Sequence, residues 1–130
     1  MTIRDACKAA PMATADITVI TVGREGASGG DVMAEIHRRL ERQDAVRFQM
    51  HAMGTSLEGA VEDILRVAGE LHAVPFELNA PRVYTVLKLD ERRDKEQTLD
   101  DKVASVEALI ERGLKAPGRP SGPAPARAQR

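Results

Sequence analysis

Tryptophan is absent from this chain, and the aromatic side chains amount to Phe48, Phe76 and Tyr84. So few rings leave almost no platform on which single-stranded nucleic acid could stack. A single cysteine, Cys7, excludes an intrachain disulfide and fits a reducing compartment. No apolar run approaches the ~20 residues that a membrane span needs. Arg4, Asp5 and Lys8 also break up the N-terminal stretch where a signal sequence would carry its apolar core. Strong charge of one sign is lacking too, because the net charge is −1. The balance is uneven along the chain, however. Gly113–Arg130 carries four bases and no acid, which leaves −5 over the rest. These absences point to a cytoplasmic protein with no membrane partner. Nucleic acid is not expected on the folded part, and a weak contact through the basic tail is what remains.

Ready-made chemistry is also scarce. His37, His51 and His72 show no ligand-like spacing, and Met50-His51-Ala52-Met53 offers too few convergent ligands for zinc or copper, so no metal site is expected. Nucleophile, base and orienter do not occur as a set, which argues against an enzyme, and no cofactor is implied. His37 and His72 read as solvated helix residues.

What is present is 42% apolar and 30% charged residues in 130, enough for one domain with a real core. Residues 1–14 have no period and read as a flexible leader. Asp16–Val22 reads as a strand, and Met12 just before it is an alternative start of translation. Gly23–Gly30 holds four glycines without P-loop or Gly-x-Gly-x-x-Gly spacing, so it reads as a plain loop. Asp31 is the expected N-cap of a helix with Val32, Met33, Ile36 and Leu40 on one side. Val46–Met50 and Thr55–Gly59 read as a hairpin. A second helix carries Val61, Ile64, Leu65, Ala68 and Leu71, with Pro75 ending or kinking it and Asn79 supplying a left-handed turn. Arg82–Asp90 is the last strand. Thr98 caps a third helix striped by Leu99, Val103, Val106 and Ile110, which Gly113 ends. Residues 113–130, rich in Pro, Gly, Ala and Arg, read as a disordered tail.

The order β-α-β-β-α-β-α over residues 15–112 predicts an α+β, ferredoxin-like βαββαβ domain with an extra C-terminal helix and a four-stranded antiparallel sheet. Ile17 and Val19 fall on one face of the first strand and Ile20 and Val22 on the other. In the last strand Val83, Leu87 and Leu89 oppose Tyr84 and Val86. Two helices cover only one face, so the second is expected to be covered by self-association, or else by the third helix.

The last strand ends in a dense mixed cluster, Lys88, Asp90, Glu91, Arg92, Arg93, Asp94 and Lys95. Glu58, at a strand-to-helix junction, reads equally as a surface ion-pair partner and as an acceptor for a ligand's amino group. Met53-Gly54-Thr55-Ser56-Leu57-Glu58-Gly59, then Arg82-Val83-Tyr84-Thr85 with Lys88 to Lys95, then Lys102-Val103 and Ser105-Val106, resembles the small thiamine-binding protein family of the YkoF-like superfamily. The resemblance covers about residues 16–112. It implies a ferredoxin-like fold, sheet-mediated dimers that can pair into tetramers, and binding of thiamine or its hydroxymethylpyrimidine moiety without catalysis. Carried over by position, it implies a ligand site drawn from Thr55, Glu58, Tyr84, Thr85 and Lys88, with Arg92 and Asp94 nearby. Similar proteins often have Thr-Pro where this chain has His51-Ala52, which leaves the ligand's identity open. An aminopyrimidine edge suits a carboxylate or hydroxyl pair, and a thiazolium cation suits an acidic, Tyr-faced site. The rival readings are a regulatory or scaffold oligomer with no small-molecule ligand, and an enzyme using His51 and Glu58 as acid and base.

Overall fold

Residues 12–26 and 29–113 are described by the computed structural model. Cys7, most of the expected leader and all but the first residue of the expected tail lie outside them. The central strand, β1, runs Met12–Val22 and pairs antiparallel on both sides, Ile17 facing Thr55 of β3 and Leu87 of β4. It starts four residues earlier than the sequence pattern suggests. Met12-Ala13-Thr14-Ala15 has little intrinsic strand preference, but pairing on both edges overrides that. Small side chains are needed there, since Ala13 and Ala15 lie buried under the helices.

α1 spans Gly30–Glu41 and buries Val32, Ile36 and Leu40 at helical spacing. Its N-cap is Gly29, not the expected Asp31. Asp31 lies inside the first turn, where it takes a two-pronged ion pair from Arg24 and accepts from the Val32 N–H at 2.9 Å. β2 (Arg47–His51) and β3 (Gly54–Ala60) form the hairpin. α2, Val61–Glu77, buries Ile64, Val67, Ala68, Leu71 and Val74. Pro75 sits inside its last turn and Asn79 closes it at φ 70°. The Ala80 N–H donates to Pro75 O at 2.9 Å and the Asn79 N–H to Phe76 O at 3.3 Å, a Schellman closure that satisfies the terminal carbonyls.

β4, Arg82–Glu91, completes an antiparallel sheet in the order β2-β3-β1-β4, and α3 follows at Leu99–Glu111. This is the ferredoxin-like architecture, with α1 and α2 on one face. The core of Ile17, Val32, Ile36, Leu40, Leu57, Ile64, Leu71 and Val74 lies between that face and the two helices.

α3 buries none of its residues. Its start is well made: Thr98 and Asp101 form a capping box, with the Asp101 N–H donating to Thr98 Oγ1 at 3.1 Å and the Thr98 N–H to Asp101 Oδ2 at 2.9 Å. Its apolar stripe, Val103, Val106 and Ile110, stays exposed, and so do Ile20, Tyr84 and Val86 on the outer face of the sheet. The third helix therefore leaves that part of the face uncovered. Among the described residues no helix is long and apolar enough to cross a membrane.

Candidate functional site

Side chains alternate across a strand, so the register decides which of the expected site residues share a face. Ile17 and Thr55 face the helices, as do Ala15, Leu57 and Leu89 at the next paired positions. Asp16, Ser56, Glu58, Lys88 and Tyr84 face the other way. The expected site therefore splits, with Thr55 and Thr85 on the helix side and Glu58, Lys88 and Tyr84 on the outer side.

Two hollows correspond to the two faces. The inner cavity, about 230 Å³, lies between the sheet and the helices at the β2–β3 turn. β1 contributes Ile17, Thr18 and Val19, the helices contribute Met33, Ile36 and Leu71, and the turn contributes Ala52, Met53, Gly54 and Thr55. No charged side chain lines it. Thr55, only 1% exposed, brings its hydroxyl to this face. The Thr18 hydroxyl donates to Met53 O at 3.1 Å and so holds the turn against β1.

The outer cleft, about 430 Å³ and open, lies between the outer sheet face and the first turn of α3. Asp16, His51, Ser56, Lys88, Asp90 and Lys102 line it. Lys102 pairs with Asp90, and His51 Nε2 meets Asp16 Oδ1 at 2.7 Å. Glu58 does not line the cleft. It is 4% exposed, and its Oε2 accepts from the Leu99 N–H at 3.1 Å, while Arg47 lies 3.6 Å from Oε1. Its carboxylate is thus engaged in anchoring the start of α3.

The remaining expected residues stand apart from both hollows. Tyr84 is 55% exposed and sits opposite Ile20, toward the far end of β1. Thr85 and His72 share a hydrogen bond of 2.7 Å, which ties β4 to α2. His72 is thus a packing residue, and it also meets Phe76 edge-on. His37 stacks edge-on against Phe48 in the same way. Arg92 Nε donates to Asp94 Oδ1 at 2.6 Å, so these two satisfy one another. Sequence reasoning missed Thr18, Met33 and Leu71 as cavity walls and Asp16 as the partner of His51. Nothing in their local pattern distinguishes them from ordinary strand and helix residues.

The clearest electrostatic shifts are at the surface. The hydrogen bond from Arg92 holds the Asp94 carboxyl down at about 2, and that from Arg24 does the same for Asp31. A carboxylate lowered in the folded state stabilises it fully above the unfolded value near about 4 and loses that contribution as pH falls toward about 2. Both pairs are exposed, so the effect is small and screened by salt. Melting temperature is expected to fall between about pH 4 and 2, less steeply in Asp94→Asn and in about 1 M salt. Equal slopes in all three would remove these pairs as contributors. Among the described residues, no group of His, Cys, Asp and Glu is placed to hold a metal ion.

The profile described as "Thiamine-binding protein" matches residues 15–107. The Bacillus subtilis protein YqgV is 37% identical over 98 residues, 73% of this chain and 94% of that protein. A protein encoded in the glkA 3′ region of Staphylococcus xylosus is 35% identical over 105 residues, 78% of this chain and 98% of its own length. The crystal structure of the Methanocaldococcus jannaschii protein MJ1052 superposes with a TM-score of 0.68 at 31% identity, covering 76% of this chain and 99% of that one.

Proposed function

This chain belongs to the thiamine-binding protein family, and on that premise we propose that it binds the hydroxymethylpyrimidine moiety of thiamine in the inner cavity. The observation that carries this reading is the cavity's wall. Met53, Gly54 and Thr55, the start of the segment in which the sequence resembles the family, line it directly. Its volume of about 230 Å³ lies below the ~300 Å³ typical of pockets for drug-sized ligands and suits a single flat ring. An uncharged lining favours the pyrimidine over the thiazolium, whose charge is costly to bury unpaired. Thr55 is the residue we assign to the pyrimidine's amino and ring-nitrogen edge, with the thiazolium left at the solvent-facing mouth beside Met53. The protein then acts without catalysis as a cytoplasmic carrier, buffer or sensor.

We further propose that it works as a homo-oligomer, dimer or tetramer. Ile20, Tyr84 and Val86 on the sheet and Val103, Val106 and Ile110 on α3 are apolar surfaces that a second copy would cover. The same surfaces favour, as the second reading, a scaffold oligomer without a small-molecule ligand.

A thermal melt with thiamine or hydroxymethylpyrimidine at about 100 times the dissociation constant separates the two readings. Binding adds about 2.7 kcal/mol, worth several degrees. Thr55→Val is expected to weaken binding about tenfold, the equivalent of one hydrogen bond, while the fold survives. Glu58→Gln, on the opposite face, is expected to bind as the parent does. No shift with either ligand, together with dimers in sedimentation, would leave the scaffold reading.

A further inference from the structure

We infer that His51 is a positioning residue for the inner cavity: its neutral imidazole clips the β2–β3 turn over the ligand, so that binding weakens on acidification. The inference rests on the assignment of the ligand to that cavity. β2 and β3 are joined by a turn of only Ala52 and Met53, closed by the His51–Gly54 pair. Two-residue hairpins favour turn types I′ and II′, which need positive φ in the turn. Neither Ala52 nor Met53 has it, since Asn79 is the only non-glycine with positive φ among the described residues. The turn is therefore held in a less favoured geometry by bonds from outside its own backbone.

Those bonds form a chain. The Thr18 hydroxyl donates to Met53 O at 3.1 Å. The Met53 N–H donates to His51 Nδ1 at 3.4 Å, and His51 Nε2 donates to Asp16 Oδ1 at 2.7 Å. The arrangement fixes the tautomer. Nδ1 accepts only when it carries no proton, so the proton sits on Nε2, facing the carboxylate. His51 thereby links the outer cleft to a wall of the inner cavity, because Ala52 and Met53 line the latter.

Protonation acts oppositely at the two ends of the ring. It strengthens the contact with Asp16 but turns Nδ1 into a donor facing the Met53 N–H, and the clip is lost. The charges around the imidazole are Asp16 on β1, Lys88 opposite it on β4, the Asp90–Lys102 pair from β4 and α3, and Arg47 and Glu58 farther along β2 and β3. α1 and α2 lie on the other face of the sheet. A turn held in this way loosens when the ring takes up a second proton.

The test is calorimetric titration with hydroxymethylpyrimidine from about pH 7.5 to about pH 5.5 on the parent, His51→Asn and His51→Leu. Asparagine can accept from the N–H two residues on, as in an Asx turn, and does not titrate. The parent is expected to lose roughly three- to tenfold in affinity as pH falls, equivalent to about one weakened hydrogen bond. His51→Asn should bind as tightly as the parent at neutral pH with a much flatter profile. Any slope it retains belongs to groups other than residue 51, the ligand included. His51→Leu should bind weakly throughout. Parallel pH profiles for the parent and His51→Asn overturn the inference while leaving the ligand assignment standing. Failure of the parent to bind at any pH removes the assignment, and the inference with it.

Discussion

Gly54→Ala is expected to destabilise the domain by about 1–3 kcal/mol and to abolish binding in the inner cavity. A Cβ at Gly54 would lie 2.7 Å from the carbonyl oxygen of Ile17 and 2.9 Å from Thr18 Oγ1. The first is backbone in the middle of β1, which cannot retreat because Ile17 is paired with Leu87 of β4 on the other side. β3 must yield instead. Moving it displaces Thr55, the next residue and the one assigned to the ligand, and breaks the Thr18–Met53 bond that steadies the turn. A loss of this size lowers the melting temperature by on the order of ten degrees in a domain of this length. Gly69 provides the contrast. It is exposed within α2 and a Cβ there would meet nothing within 4 Å. Gly69→Ala should therefore stabilise by roughly 0.5–1 kcal/mol through helix propensity alone. Paired melts of the two variants check the argument, and a neutral Gly54→Ala would show that the close approach to β1 is dispensable.

Glu58→Ala is expected to release α3 from the sheet. Hydrogen exchange of Leu99–Glu111 should quicken by about 10- to 100-fold, corresponding to the ~1.5–3 kcal/mol of a charge-assisted hydrogen bond. Removing the carboxylate leaves the Leu99 N–H, the first of the helix, without its acceptor, and leaves Arg47 facing Asp100 alone. With no buried residue of its own, α3 has little else to hold it to the sheet beyond the Lys102–Asp90 and Arg47–Asp100 pairs. Glu58→Gln retains an acceptor oxygen and should cost less. Ligand affinity serves as the control. If Glu58→Ala leaves exchange in α3 unchanged but weakens pyrimidine binding, the carboxylate belongs to the ligand site after all, as its place in the motif first suggested.

The order of elements was legible because each has its own local signal. Val32, Ile36 and Leu40 repeat at helical spacing, Thr98 caps as its type predicts, and Asn79 takes the left-handed position that few other residues tolerate. The first four residues of β1 were not legible. Met12 to Ala15 become a strand only because β3 and β4 flank them, and small side chains signal nothing of that in advance. The N-cap of α1 differs for a similar reason: Asp31 has a cap's chemistry, but Arg24 across the loop engages it two residues inside the cap.

For the site, the sequence by itself determined the ingredients: a Met-Gly-Thr segment, Glu58 at a strand-to-helix junction, a charged end to β4 and apolar residues on both faces of the sheet. These follow from residue type and spacing, which are local properties. Only the tertiary structure decided which of them meet. Thr55 and Glu58 are three residues apart in one strand, and an odd separation sends them to opposite faces of the sheet. One faces a small uncharged cavity and the other anchors a helix that arrives from residue 99. The alternation is written in the chain. What lies above and below the sheet is set by long-range packing, and no short stretch of sequence carries it.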